Sequence, residues 1–102
     1  MKEGLLQPAE YERVGIFKLN LGPRQTILVS GSSVTVYASL HHFESSNRGQ
    51  KNVSYINGGE EGDILFLTGW RVKLNSNGNI AKSATLKEDE VLRLIFINGE
   101  WV

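Results

Sequence analysis

Residues 62 to 80, GDILFLTGWRVKLNSNGNI, begin with a run that has no polar side as an extended chain: Leu65 and Leu67 fall on one face, Ile64 and Phe66 on the other. Successive strand residues point to opposite faces, so a small domain with one core can bury only one of these rows. The doubling recurs in RVGIFKLNL (13–21), where Phe17, Leu19 and Leu21 oppose Val14 and Ile16. It recurs again in VLRLIFI (91–97), where Leu92, Leu94 and Phe96 oppose Val91, Ile95 and Ile97. Elsewhere short alternating apolar runs are separated by Gly, Asn and Ser, the mark of β structure.

The pattern predicts strands over 13–21, 24–30, 33–43, 53–57, 63–69, 70–75 and 91–97, closed by EWV. Gly22-Pro23, Gly31, Asn57-Gly58-Gly59, Asn77-Gly78-Asn79 and Asn98-Gly99 supply turn residues that tolerate positive φ, and read as hairpin reversals. The polar stretch 44–52 predicts an exposed loop. A helical turn fits only QPAEYERV, opening at Pro8, because LKEDEVLRL runs into β-branched and aromatic residues and reads as a turn at 87–90 followed by a strand. The expected fold is all-β, an antiparallel, jelly-roll-like β-sandwich.

A chain of 102 residues folds around one core with little interior volume to spare. Apolar burial is worth ~25 cal/mol per Å2, so one wetted apolar sheet face would forfeit several kcal/mol against a net stability of ~5–15 kcal/mol. The surplus faces therefore imply self-association, with Phe17, Leu19, Ile64, Phe66, Ile95 and Ile97 as candidate interface residues. The competing placement for these side chains is beneath the 44–52 loop or the leading segment.

Composition narrows the function. Eleven basic and eleven acidic side chains balance to zero net charge without long runs, so the electrostatic footprint of a nucleic-acid binder is missing. No Cys is present, which removes disulfide and thiolate chemistry. No apolar run approaches the ~20 residues of a membrane-spanning helix, and membrane insertion is not expected.

Candidate chemistry is sparse. Adjacent His41 and His42 point to opposite faces of a regular strand and cannot both ligate one ion, although a single His near a threefold axis could gather three copies around a metal. GGEEGD (58–63) offers carboxylates, but without calcium-loop spacing Glu60 and Glu61 read as turn solvation. No phosphate loop or nucleophile elbow is present, so the sequence points to a non-enzyme that needs no cofactor. The aromatics Tyr37, Phe43, Tyr55, Trp70 and Trp101 could stack on sugar rings, although in β domains most such residues pack in cores or across strands. Trp70, Tyr37 and Tyr55 are the binding candidates.

From residue 53 onward the order of features is distinctive. Asn57-Gly58-Gly59 leads into GDILFLTG, then RVKLNSNGNI, then LKEDEVLRLIFINGEWV, with LIFINGEW closing the chain some twenty residues after GNI. This half of the chain resembles the C-terminal β domain of bacteriophage tail fibres and tailspikes. Ala81-Lys82-Ser83 departs from the apolar continuation common after that Asn-Ile. The resemblance implies a homotrimer at the distal tip of a virion fibre, acting outside the cell on bacterial surface polysaccharide or lipopolysaccharide, without catalysis. It also casts residues 1–12 as a lead segment, the end of a fibre shaft or a remnant of the expressed fragment, and 13–102 as one β domain. The alternative from the residues is a carbohydrate-binding module of a secreted polysaccharide-active enzyme, monomeric with exposed aromatics.

Overall fold

In a computed structural model the described residues are 22–102. The expected strand at 13–21, with Phe17 and Leu19, and the helical turn at Pro8 lie outside them. The described chain is all-β, with β1 (Gln25–Val29), β2 (Ser33–Thr35), β3 (Leu40–Ser45), β4 (Lys51–Val53), β5 (Tyr55–Asn57), β6 (Ile64–Trp70), β7 (Val72–Leu74), β8 (Ala84–Thr85), β9 (Leu92–Ile97) and β10 (Glu100–Trp101).

Pairing departs from the antiparallel, jelly-roll-like expectation: the sheets are mixed. β1, β3 and β6 run parallel side by side, β5 lies parallel on β2, and β7 lies parallel on β4. Antiparallel pairing enters only at the C-terminal end, where β9 pairs with β6, β10 with β9 and β8 with β7. The result is a five-stranded sheet in the order β1-β3-β6-β9-β10 and two smaller sheets, β2-β5 and β4-β7-β8. Their inner faces share one core, built from Val29, Phe43, Leu65 and Leu67 of the large sheet, Val34 and Ile56 of the second, and Val53, Val72 and Leu74 of the third. This arrangement is compatible with a β-sandwich.

The reason for the difference lies at the corners. The expected strand 33–43 is broken at 36–39, so β2 and β3 belong to different sheets. The expected strands 63–69 and 70–75 do not pair with each other: Arg71 adopts a left-handed conformation (φ 58°), and β7 leaves to join β4. Part of the expected 44–52 loop is strand, since Glu44 and Ser45 end β3 and Lys51 and Asn52 open β4. The Ser45 hydroxyl, with one proton to donate, lies within hydrogen-bond reach of the Asn47 carbonyl at 2.7 Å and of the Gly49 carbonyl, tightening the turn between β3 and β4.

Two Asn-Gly signals have different fates. Asn98 (φ 52°) and Gly99 (φ 81°) form the two-residue reversal that pairs Ile97 with Glu100, as expected of a type I′ hairpin. Asn77-Gly78-Asn79 forms no tight two-residue turn; it lies within the long 75–83 connection between the antiparallel β7 and β8. Gly78 instead lies so close to β5 that a Cβ would sit well inside contact distance of the Ser54 carbonyl oxygen. That approach lets the Asn79 side chain stand in for a strand backbone. Its Oδ1 accepts from the Ile56 N–H at 2.9 Å, and its Nδ2 donates to the Ile56 carbonyl at 2.8 Å. The buried Trp101 indole N–H donates to the same carbonyl at 3.0 Å, and Ile80 bridges to Trp101.

Asn79→Ala leaves the Ile56 N–H unpaired and removes one of two donors to its carbonyl. The expected loss in urea unfolding is ~1–3 kcal/mol. Gly78→Ala should cost a similar ~1–3 kcal/mol by forcing the two segments apart.

Candidate functional site

The corner between β2 and β3 is built on a histidine. Side chains alternate along β3, so His41 points inward, where it is fully buried, while His42 points to the outer face of the sheet. The His41 Nε2 accepts from the backbone N–H groups of Tyr37 and Ala38, both at 3.2 Å. An acceptor at Nε2 fixes the proton on Nδ1, which donates to the Gln25 carbonyl at 3.1 Å. Burial pushes the His41 pKa below its ordinary value, and the bond to Gln25 pulls it partly back. The Tyr37 ring stands edge-on to the imidazole at 4.6 Å and 79° yet is 62% exposed. A buried neutral histidine thus holds an exposed tyrosine in a fixed orientation.

Facing this corner is the loop between β5 and β6. Asp63 Oδ2 accepts from the Glu60 N–H at 2.9 Å, and the Asp63 N–H donates to the Glu60 carbonyl at 2.9 Å. The same loop is laced to β9, with Gly62 N–H to Phe96 carbonyl and Phe96 N–H to Asp63 carbonyl, each at 2.9 Å. Between corner and loop lies a cleft of about 220 Å3 bordered by Tyr37, Ser39, Glu60, Asp63, Ile64 and Trp101. Trp101 is itself held edge-on to Phe96 at 4.9 Å. Among the described residues the cleft combines an exposed aromatic ring, a buried indole and the side chains of Glu60 and Asp63.

The sequence-level candidates do not converge. Tyr37 borders the cleft, whereas Tyr55 is 48% exposed on the outward face of β5, in register with Ser33. Trp70 ends β6 half-buried, with the Arg71 guanidinium 4.9 Å above its ring, and sits opposite Glu44 of β3. Phe43 and Trp101 are core residues. The roles of Glu60 and Asp63 in a cleft were not legible, because the facing corner lies inside what reads as one continuous strand.

Ile64, Phe66, Ile95 and Ile97 do share a surface. Leu65, Leu67 and Leu94 face the core, so the alternate residues of β6 and β9 line the outer face of the five-stranded sheet. Ile64 pairs with Ile95, Phe66 sits between Leu40 and Arg93, and Trp70 and Leu28 flank Glu44. Ile97 and Leu28 are 42% and 65% exposed. The middle of the face is more polar and covered: the Arg24 guanidinium reaches across β3 to the Thr68 hydroxyl at 3.4 Å. Thr68 Oγ1 lies 2.8 Å from His42 Nδ1, and His42 Nε2 lies 3.7 Å from a Glu44 carboxylate oxygen. Among the described residues no three His, Asp or Glu side chains gather in a metal-ligating group, and both His41 nitrogens are engaged by backbone.

No family model, curated protein or solved structure matches the chain.

The His41 geometry makes stability pH-dependent with a defined sign. The folded state holds the neutral ring, and the unfolded chain protonates more readily, near the ordinary 6.5. The contribution is complete above that pH and is lost as pH falls below it toward the lower folded value. Urea midpoints should therefore fall between about pH 7 and pH 5. His41→Gln, less stable at neutral pH, should show a flatter dependence over that window.

Proposed function

We propose that this domain is the distal, non-catalytic tip of a bacteriophage tail fibre or tailspike. In this reading three copies assemble on the virion fibre, stay in register, and adhere to bacterial surface polysaccharide or lipopolysaccharide outside the cell. The observation that carries the proposal is the apolar outer face of the five-stranded sheet, where Ile64, Ile95, Phe66, Leu40 and Ile97 lie together. Removing a Leu, Ile or Phe side chain from water is worth ~1.5–3 kcal/mol, so several half-exposed ones reward self-association. The sheet order supports this geometry, because β6 and β9 are neighbours and bring residues thirty positions apart into one patch.

Adhesion then follows from multiplicity. One weak sugar contact per subunit, repeated three times on a rigid tip, gains avidity from effective concentration without any new contact. Catalysis has no part in this mechanism.

A second reading has its own observation. Tyr37, at the corner after β2, and Tyr55, on β5, are both exposed aromatics, as expected of a monomeric carbohydrate-binding module of a secreted polysaccharide-active enzyme.

Sedimentation velocity separates the two. The fibre-tip reading expects a species about three times 11.4 kDa, converted to a folded single chain by Phe66→Asp or Ile95→Asp. A wild-type chain that stays folded and single at micromolar concentration rejects the trimer and favours the module.

A further inference from the structure

We propose that the outer edge of β2 is a docking edge for one parallel strand, and that its occupant is the segment 17–21 (FKLNL) of this same chain, which lies just outside the described residues. The inference is independent of the adhesion reading and rests on how the sheets are threaded. β3, β4 and β5 lie in the five-stranded, three-stranded and two-stranded sheets in turn, and β6 and β7 repeat the first two steps one strand further on. Asn79 makes the third step of that repeat: its side chain brackets Ile56, and its N–H donates to the Ser54 carbonyl at 3.1 Å. β1 and β2 belong to the turn before, so the chain coils through stacked turns.

The two ends of the coil differ. At the late end the antiparallel strands β8, β9 and β10 close the stack. At the early end the core is less well covered, since Ile27 is only half-buried while Phe43, its register partner on β3, is fully buried. The Val36 N–H donates to the Asn57 carbonyl at 2.9 Å, and the Ser32 carbonyl accepts from the Tyr55 N–H at 3.2 Å. Even-numbered residues of β2 therefore bond toward β5, and the backbone groups of Ser33 and Thr35 turn to the opposite edge. Among the described residues no strand pairs there. β2 carries no charged residue and no Pro, the usual guards of an open edge.

Pattern and chain length select the occupant. In both strands of this sheet the middle residue alone is buried, as Val34 between Ser33 and Thr35 and Ile56 between Tyr55 and Asn57. Lys18-Leu19-Asn20 repeats that alternation, and Phe17 and Leu21 extend the apolar row on either side. Strands of this sheet lead into the large sheet through the short connections 36–39 and 58–63, and only residues 22–24 separate Leu21 from β1. The segment thus precedes β1 at the point of the cycle where a neighbour of β2 belongs. With Leu19 beside Val34, the row of Phe17 and Leu21 faces the end of the core that Ile27 leaves open. The N–H groups of Leu19 and Leu21 would then donate to Ser33 and Thr35, whose own N–H groups donate back to Phe17 and Leu19.

The test uses the full chain, whose lack of Cys leaves introduced thiols without competitors. Neighbouring strands lie about 4.8 Å apart, within disulfide reach, whereas strands two apart do not. Under mild oxidation Lys18→Cys with Ser33→Cys should form an intrachain disulfide at least tenfold faster than Lys18→Cys with Tyr55→Cys. Equal rates overturn the proposal, and a mainly interchain disulfide overturns it in favour of a second copy on the edge. Hydrogen exchange gives a second reading without cysteines. The wild-type amides of Leu19, Leu21, Ser33 and Thr35 should exchange at least a hundredfold more slowly than in an unstructured chain; exchange at the unstructured rate at Leu19 and Leu21 overturns the proposal. Leu19→Asp should speed exchange at Ser33 and Thr35 at least tenfold while β6 amides stay protected, which reports that the variant is folded. Unchanged protection of Ser33 and Thr35 in that variant assigns the edge to another occupant and overturns the proposal.

Discussion

Strands β6 and β9 of the large sheet each carry two apolar rows, and the described residues build one core. Leu65, Leu67 and Leu94 fill that core, which commits Ile64, Phe66 and Ile95 to the opposite surface, because a strand cannot turn both rows inward. A one-residue slip of β6 would exchange the rows and would gain nothing, since both are apolar. Register is fixed by other means, through the corner at 36–39, the φ of Arg71 and the bracket of Asn79 around Ile56. The apolar outer face is thus a consequence of how the core is built, and it is the surface on which the proposed assembly rests.

The same packing creates the cleft. β2 and β3 part company at residues 36–39, and a change of sheet in so few residues leaves backbone N–H groups pointing inward. A buried imidazole answers them more fully than a hydroxyl could, since one ring links the Tyr37 and Ala38 amides to the Gln25 carbonyl of β1. Burial and three backbone partners make His41 structural, and the exposed Tyr37 ring is what this support presents to solvent. Ile64 belongs to both the cleft and the apolar face, so the two surfaces adjoin.

Several features could be read directly from the residues. The strands at 25–29, 64–70 and 92–97 stand close to the alternating runs that mark them, and Asn98-Gly99 is the reversal its chemistry demands. The opposite orientations of His41 and His42 follow from the period of a strand. Other features were hidden for identifiable reasons. Residues 33–43 alternate well enough to look continuous, although Val34 faces the core from one sheet, Val36 from the corner, and His41 and Phe43 from another sheet. No repeat announces the parallel stacking, because Gln25 pairs with His41 while Leu40 pairs with Phe66, an offset that moves from 16 to 26 residues.

The sequence by itself determined that the chain is β-structured, where most strands lie, and that its apolar surface exceeds one core. These are local or additive properties, set by backbone sterics, side-chain alternation and composition. Only the tertiary structure decided that the central strands pair in parallel, that Asn79 brackets Ile56 of β5 from within the β7–β8 connection, and that Tyr37 meets Glu60 and Asp63 across a cleft. Alternation is identical for parallel and antiparallel neighbours, so the choice of partner rests on contacts between residues far apart in the chain, and those are fixed only when all three sheets close on the same core.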